Sequence, residues 1–155
     1  MPDGKTHETI NAVVLIAVLA GFYYMIINEN EFAIKYFDAT VLLIFSLGYI
    51  FATFFLSPDL DIQSKPYKRW GLLKILWWPY KVIFKHRGYS HHPVIGPLSI
   101  VLNLAIIVAM VLFIGGFEAK SVPPGFIVPA IAGMVLSMEV HIVSDSFVSK
   151  FKSIF

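Results

Sequence analysis

The stretch VIGPLSIVLNLAIIVAMVLFI, residues 94–114, contains 21 residues and not one Asp, Glu, Lys, Arg or His. A helix rises 1.5 Å per residue, so about 20 apolar residues cross the ~30 Å hydrocarbon core of a bilayer. Three further apolar runs of 18 residues each occupy 10–27, 39–56 and 126–143. The chain is 57% hydrophobic, above the ~45–50% of a typical soluble domain. The sequence therefore predicts an all-α membrane protein with four transmembrane helices.

The distribution of basic residues indicates how these helices are oriented. An even number of crossings puts both termini and the loop 57–93 on one side, and ten of the twelve Lys and Arg residues lie there. Only Lys35 and Lys120 lie in loops on the other side. Cytoplasmic loops are enriched in Lys and Arg. We therefore expect a multi-pass protein of the inner (cytoplasmic) membrane whose termini and 57–93 loop face the cytoplasm.

The central part of this loop, WGLLKILWWPYKVIFK at residues 70–85, carries too many charges to cross the bilayer. Lys74, Lys81 and Lys85 share one face of a helix, and aromatic and aliphatic side chains cover the rest. Such a pattern is typical of an amphipathic segment lying at the depth of the lipid headgroups. We expect an interfacial segment between the second and third transmembrane helices, and a single membrane domain over residues 1–155.

Several other classes of protein are disfavoured. The first apolar run lacks the small-residue cleavage pattern of a signal peptide, so we expect it to be retained. The chain contains no cysteine, which excludes disulfides and thiolate metal ligands. We expect no nucleic-acid partner, because the basic loop is short, is interleaved with apolar residues and enters the membrane at both ends.

The predicted topology brings histidine and aspartate from distant segments to the cytoplasmic face. Asp59 and Asp61 share one side of an extended segment, and their charges repel each other unless a cation holds them. His141 lies one helical turn before Asp145, a spacing also used by helical zinc sites. Less specific explanations exist: solvated aspartates at a helix end, a basic loop that contains histidine, or a core histidine bonded to an aspartate. Taken together, the segments predict seven metal ligands: His7, Asp59, Asp61, His86, His91, His141 and Asp145.

Seven nitrogen and oxygen ligands are more than one ion needs. A structural zinc site is complete with four ligands, whereas a catalytic site keeps a position open for water. We therefore expect two divalent metal ions that share an activated water. The absence of thiolates and the number of carboxylates favour zinc, with manganese or iron as alternatives.

Several short motifs carry a family resemblance. They are Gly4-Lys5-Thr6-His7, Ser57-Pro58-Asp59-Leu60-Asp61, Arg69-Trp70-Gly71, Trp77-Trp78-Pro79-Tyr80, His86-Arg87-x-x-Ser90-His91 and His141-x-x-x-Asp145. In this combination and order the chain resembles the membrane-bound metal-dependent hydrolases of bacteria and archaea, and within them an uncharacterised metal-binding branch. That family is similar, more distantly, to zinc-dependent phospholipase C. The family has a small residue where this chain has His92, so either His91 or His92 could be the ligand, and we favour His91.

The resemblance implies a helical membrane protein with a polynuclear metal site. Together with the position of the site, it leads us to expect hydrolysis of a lipid or lipid-linked phosphoester at the cytoplasmic face. Arg87 and Arg69 are expected to stabilise the charge that develops on the phosphoryl oxygens. Four aromatic residues are expected to border the lipid entrance: Tyr67, Trp70, Trp77 and Trp78.

Two rival functions remain open from the sequence. A di-iron membrane oxidase with histidine boxes would need more histidines than the five present. The second rival is a metal-binding protein without catalysis that acts in transport or assembly. A transporter would be expected to carry polar residues at mid-membrane, and Asn103 is the only obvious candidate there. The oligomeric state is not predicted.

Overall fold

The computed structural model describes residues 4–84, 89–117 and 123–152, with side chains described as far as residue 148. Within these ranges the chain forms helices joined by turns, and no strand is present. The α-helices, in chain order, are α1 (Gly4–Ile27), α2 (Glu31–Tyr36), α3 (Ala39–Phe55), α4 (Lys65–Arg69), α5 (Trp78–Ile83), α6 (Ile95–Ile114) and α7 (Pro124–Lys152). Three 3₁₀ segments occupy Pro58–Asp61, Gly71–Trp77 and Tyr89–His91.

Four of these helices, α1, α3, α6 and α7, are long and apolar enough to cross a membrane. They correspond to the four predicted spans, and they fit a multi-pass membrane protein. The observed bounds of α3 and α6 agree with the predicted runs 39–56 and 94–114 to within one residue. At the start of α3, the side chain of Asp38 accepts a hydrogen bond from the backbone N–H of Val41 at 2.8 Å, the usual N-cap arrangement.

The other two long helices extend beyond their apolar runs. α1 begins at Gly4, six residues before the predicted start at position 10, and α7 continues to Lys152, nine residues past position 143. Hydropathy detects only the apolar part of a helix, whereas most of the added residues are polar. The extensions place His7 in the first turn of α1 and keep Asp145 within α7. Both side chains are therefore held on regular backbone.

α3 and α7 form the closest helix pair. Gly48 and Gly133 make this approach possible: a Cβ atom at Gly133 would overlap the carbonyl oxygen of Phe45, and one at Gly48 would overlap that of Ala130. Small residues at helix contacts are a common device in membrane proteins, because dispersion between close backbones replaces the hydrophobic effect. The close contact aligns the end of α3 with the His141–Asp145 turn of α7.

The segment predicted to lie at headgroup depth packs along the sides of the apolar helices. The indole of Trp70 donates a hydrogen bond to the backbone carbonyl of Phe55 in α3 at 2.9 Å, and Trp77 is completely buried. A cavity between this segment and α6 is lined by Leu76 on one side and Asn103 on the other. Asn103 lies eight residues, about 12 Å, along α6 from its start. Leu72, Leu73 and Ile75 of the same segment are exposed, and its position at headgroup depth stays a prediction.

Candidate metal centre

Four of the predicted ligands converge at one end of the bundle: Asp59, His91, His141 and Asp145. Asp59 lies in the 3₁₀ turn that follows α3, and His91 in the 3₁₀ turn that precedes α6. His141 and Asp145 face the same point from successive turns of α7. One ligand atom from each residue lies within 4.8 Å of each of the others. Three segments that are remote in the sequence thus contribute to a single site.

Local sequence explains the position of the two short segments. The backbone N–H of Asp59 donates to the hydroxyl of Ser57 at 3.2 Å, and Pro58 fixes the first residue of that turn. The turn that carries His91 packs tightly on the start of α6, because a Cβ atom at Gly96 would overlap the carbonyl oxygen of Ser90. Both ligands are therefore held by backbone contacts.

The distances between these side chains match those expected around a metal ion. His91 Nε2 lies 3.4 Å from Asp59 Oδ1 and 3.4 Å from Asp145 Oδ2. His141 Nε2 lies 3.3 Å from Asp59 Oδ2 and 3.6 Å from Asp145 Oδ2. Ligands in a tetrahedron around zinc, with bonds of about 2.0–2.2 Å, are about 3.3–3.6 Å apart. The two histidines face different oxygens of Asp59, and the nitrogen and oxygen donors fit a divalent metal ion.

The burial of the donor atoms also indicates a metal ion at this site. Within the described residues, Asp59 Oδ1, His141 Nε2 and both carboxylate oxygens of Asp145 are buried and make no hydrogen bond of acceptable geometry. Buried polar atoms are nearly always satisfied, and groups that are not call for an explanation such as an ion. A cation at the centre of the four side chains would satisfy Asp59 Oδ1, His141 Nε2 and Asp145 Oδ2, whereas Asp145 Oδ1 faces His7.

The pKa of His91 is also affected by the two neighbouring carboxylates, those of Asp59 and Asp145. Burial alone would lower the pKa of His91, but Asp145 and Asp59 outweigh burial and raise the pKa to about 9. A metal ion binds neutral imidazole, so binding here displaces the proton that the aspartates otherwise stabilise. The two aspartates therefore attract either a proton on His91 or a metal ion.

His7 lies against this group without belonging to it. Its Nε2 is 3.1 Å from Asp145 Oδ1, and its Nδ1 is 2.9 Å from the hydroxyl of Ser144. Its ring stacks on that of His141 with the ring centroids 3.9 Å apart. Asp145 thus has one oxygen towards His7 and the other towards His91 and His141. This arrangement suits either a carboxylate shared by two ions or a histidine that orients a metal-bound carboxylate.

Asp61 lies apart from the four converging residues. The extended segment predicted for Asp59 and Asp61 is wrong, because both residues lie in the 3₁₀ turn Pro58–Asp61. In a 3₁₀ turn with three residues per turn, side chains two apart point about 120° away from each other. Asp61 is buried. The pKa of Tyr80 is raised, first by the burial of its own hydroxyl and then by the negative charge of Asp61. Its role as a metal ligand stays a prediction.

The remaining predicted residues have varied positions. His86 and Arg87 lie outside the described residues, so their roles stay predictions. His92 is exposed, and its Nδ1 accepts from the backbone N–H groups of Val94 and Ile95 at 3.2 and 3.3 Å. It therefore caps the start of α6, whereas His91 joins the candidate site.

Arg69, predicted to stabilise phosphoryl charge, is bound to neighbouring groups. It donates to Glu8 Oε1 at 2.7 Å and to the carbonyl oxygen of Phe54 at 3.1 Å. Its catalytic role stays a prediction.

The predicted substrate-binding aromatics divide between core and surface. Tyr67 and Trp77 are buried in the core, Trp70 is half-buried, and Trp78 is 63% exposed. Of these four residues, Trp78 is the one with most of its ring available to lipid. Their contact with substrate stays a prediction.

A cavity of about 220 Å³ borders the metal ligands Asp59 and His141. Its walls include three residues that the sequence analysis did not single out as site residues: Glu8, Thr53 and Ser137. Helical spacing could have found one of them, since Ser137 precedes His141 by one turn. Asn11, one turn after His7, also lines the cavity, and its Oδ1 accepts a hydrogen bond from the hydroxyl of Tyr49 at 2.8 Å.

Comparison with known proteins supports the metal-binding interpretation. An uncharacterized protein of Aquifex aeolicus (strain VF5) is 54% identical over 55 residues, a match that spans 35% of this chain and 39% of that protein. No solved structure shows a significant match. Residues 2–122 match the family described as "Uncharacterized metal-binding protein (DUF2227)". That range includes Asp59 and His91 and ends before α7, so the family match does not cover His141 and Asp145. The match covers well over half of the chain, which therefore belongs to this family of uncharacterized metal-binding proteins.

Proposed function

We propose that this chain is a membrane-embedded, metal-dependent hydrolase that acts on a lipid or lipid-linked phosphoester at the cytoplasmic face of the membrane. The observation that carries the proposal is the cluster of Asp59, His91, His141 and Asp145 beside a cavity large enough for a small polar group. A site intended only to bind metal has no need of such a cavity.

The four clustered residues would hold the first divalent ion. His7, which contacts Asp145, would take part in a second ion site or orient the shared carboxylate. When bound, the metal would supply an activated water and would stabilise negative charge on a phosphoryl oxygen. Zinc is the first candidate because both donor types and their spacing suit it, with manganese or iron as alternatives.

The surrounding side chains would bind and orient the substrate. Glu8 lies on the cavity wall and is held there by Arg69, so this pair fixes the side of the cavity formed by α1. Lys65 also lines the cavity and is exposed. A lysine at this position would attract an anionic headgroup as it approaches. Arg87 would stabilise charge on the phosphoryl oxygens.

The lipid substrate is suggested by the position of the cluster. Asp59 and His91 lie just beyond the ends of α3 and α6, and His141 and Asp145 lie on α7, each two residues from the end of its apolar run at residue 143. A site at that depth meets lipid headgroups before any soluble metabolite. The resemblance to metal-dependent hydrolases, and more distantly to zinc-dependent phospholipase C, supports phosphoester chemistry.

A metal-binding protein without catalysis is the second candidate. Four protein ligands are sufficient to close a structural zinc site and leave no position for water. On this alternative the ion would link α7 to the turns beside α3 and α6, and the cavity would have no substrate. The two functions differ in one measurable respect, because a closed site would keep its metal and hydrolyse nothing.

Activity measurements on the metal-loaded protein test the proposal. Detergent-purified protein loaded with zinc, manganese or iron would be assayed for phosphate or headgroup release from mixed phospholipid vesicles. We expect metal-dependent hydrolysis that falls at least about a hundredfold in Asp59→Asn, with Asp38→Asn as the matched control outside the site. A folded protein that retains stoichiometric metal and releases no product from any phospholipid would reject catalysis in favour of the structural alternative.

A further inference from the structure

The cavity beside the metal ligands has a polar inner wall that the metal site does not require. Side chains from α1, α3, α4 and α7 line it. Three of them, Asn11, Thr53 and Ser137, lie one or more turns deeper than the ligands. Asn11 and Ser137 are 3% and 1% exposed. Polar groups in an apolar bundle cost free energy unless they are hydrogen-bonded, so their partners show what the wall can bind.

Part of this wall is satisfied internally. The hydroxyl of Tyr49 donates to Asn11 Oδ1 at 2.8 Å, and the hydroxyls of Thr53 and Ser137 are 2.9 Å apart. Thr53 Oγ1 also donates to the backbone carbonyl of Tyr49 at 2.9 Å. These contacts hold the side chains in place and leave further hydrogen-bonding capacity, because each hydroxyl has two acceptor positions.

The amide nitrogen of Asn11 is the most informative group. Because Oδ1 faces Tyr49, the NH₂ group of the planar amide points away from Tyr49. Within residues 4–84, 89–117 and 123–148, this nitrogen makes no hydrogen bond, and Asn11 lines the cavity. The wall therefore presents two N–H donors beside the oxygen atoms of Thr53 and Ser137.

Resting on the proposed hydrolase function, we propose that this cavity is a subsite for a hydroxylated headgroup of the glycerol or sugar class, with its phosphate towards the metal ligands. Adjacent hydroxyls of a polyol both donate and accept, and so match a wall that combines amide N–H groups with hydroxyl oxygens. A volume of about 220 Å³ equals roughly seven water molecules at ~30 Å³ each. That space accommodates a glycerol or a single sugar.

The lining disfavours a quaternary ammonium headgroup such as choline. Proteins recognise such cations with cages of aromatic rings, and within the described ranges no Phe, Tyr or Trp lines this cavity. The carboxylate of Glu8 on the wall already pairs with Arg69 at 2.7 Å, which reduces its attraction for another cation. Lys65 adds a positive charge. Charge and shape both favour an uncharged polyol attached to phosphate.

A simpler role for the polar wall is to hold α1, α3 and α7 together. The two roles separate in a ligand-binding experiment, because a purely structural network affects stability and leaves ligand preference unchanged. The double variant Thr53→Val/Ser137→Ala removes both partners of the hydrogen bond between these two hydroxyls and nearly preserves volume, a change that can be close to neutral for stability. It also removes the bonds from Thr53 to the carbonyl of Tyr49 and from Ser137 to Asn11 Oδ1, and Asn11 Oδ1 keeps its bond from the hydroxyl of Tyr49. Ser46→Ala is the matched control, since Ser46 bonds only to the carbonyl of Leu42 at 2.7 Å, outside the cavity.

Calorimetric titration of the full zinc-loaded chain with glycerol 3-phosphate and with phosphocholine tests the subsite. We expect glycerol 3-phosphate to bind at least about tenfold more tightly. That preference should fall below about threefold in the double variant and persist in Ser46→Ala. Equal affinities in the wild type, binding of neither compound, or a preference that survives in the double variant would overturn the proposal.

Hydrolysis assays on phosphatidylglycerol and phosphatidylcholine vesicles separate this proposal from the proposed function. Selective binding of glycerol 3-phosphate without hydrolysis of either lipid would reject the hydrolase and support the polyol subsite. Equal hydrolysis of both lipids without selective binding would support the hydrolase and reject the subsite.

Discussion

The two ends of the helical bundle differ in chemistry although α1, α3 and α7 build both. At one end these helices border the metal ligands and a hydrogen-bonded cavity. At the other end they enclose, with α2, a cavity of about 470 Å³. Its lining is apolar: Phe22, Phe32, Tyr36, Phe37, Val41, Leu42, Phe45, Gly125, Val128, Pro129 and Ala132.

The contrast shows that side chains at the apolar end serve helix packing, whereas those at the polar end are suited to binding a ligand. At the aromatic end, rings around the cavity contact one another, as Phe22 and Phe37 do with their ring centroids 4.4 Å apart. Rings of this kind stabilise a bundle in any apolar surroundings. The polar end places charged and hydroxyl groups where burial is costly, which is the mark of a site that binds something. Chemistry is therefore expected at the polar end alone, and variants at the two ends should differ in their effect on metal and ligand.

Loss of one ligand is expected to have the largest effect. His141→Ala removes a nitrogen donor that faces both aspartates, so its zinc dissociation constant should rise at least about a hundredfold. That exceeds the 10–100-fold typical for loss of a group that only supports a ligand. Competition titrations with a zinc-binding dye would measure the change. Tyr36→Phe, at the aromatic end, should bind zinc as the wild type does, and a similar loss in both variants would contradict the contrast.

Close packing of α3 on α7 is the next most sensitive feature. Gly133→Val would force backbones apart that now touch at Phe45, and overpacking of this kind costs about 1–3 kcal/mol or more. We expect a clear fall in the thermal unfolding midpoint of the detergent-purified protein. Gly21→Val is the control, because among the described residues no atom beyond the nearby backbone of its own helix lies within 4 Å of its added Cβ. Equal midpoints for the two variants would show that the α3–α7 contact is not close.

Metal removal should lower the free energy of unfolding by an amount between that of the ligand and packing variants above and that of the surface ion pair below. Binding to the folded state alone stabilises by about 2.7 kcal/mol when free metal is a hundredfold above the dissociation constant. Chelation should therefore lower the unfolding midpoint of the wild type and have little effect on Asp145→Asn, which has lost a ligand. A midpoint that is insensitive to chelator in the wild type would argue against a metal that supports the fold.

The Glu8–Arg69 pair should matter least for stability. Both side chains are partly exposed to solvent, at 25% and 32%, and pairs of this type contribute about 0–1 kcal/mol. Arg69→Gln should leave the unfolding midpoint within a few degrees of the wild type in denaturation scans. A large loss of stability would instead assign Arg69 a role in holding α1 against α4.

The fold and the ligand set were predictable from the sequence to different extents. Hydropathy located α3 and α6 closely, because apolar residues fill both helices to their ends. An even number of crossings brought Asp59, His91, His141 and Asp145 to one face, and the structure brings these four together. That prediction needed only the order of helices along the chain.

The parts that could not be predicted depend on how each helix is rotated about its axis and on the local backbone geometry of the turns. Asp61 was grouped with Asp59 because an extended backbone was assumed, and the 3₁₀ turn separates them. The polar wall of the cavity was missed because Thr53 and Ser137 are ordinary residues in apolar helices. They become significant only when the contact between α3 and α7 brings their hydroxyls within 2.9 Å. No single-helix pattern contains that information.

X-ray absorption spectroscopy of the zinc-loaded protein tests the central claim most directly, namely that three remote segments hold one divalent ion. We predict a first shell of nitrogen and oxygen at about 2.0–2.2 Å, with the scattering signature of two imidazoles. One imidazole should be lost in His91→Ala and one in His141→Ala. A folded wild-type protein that binds no zinc, or a zinc spectrum that neither substitution changes, would contradict the account.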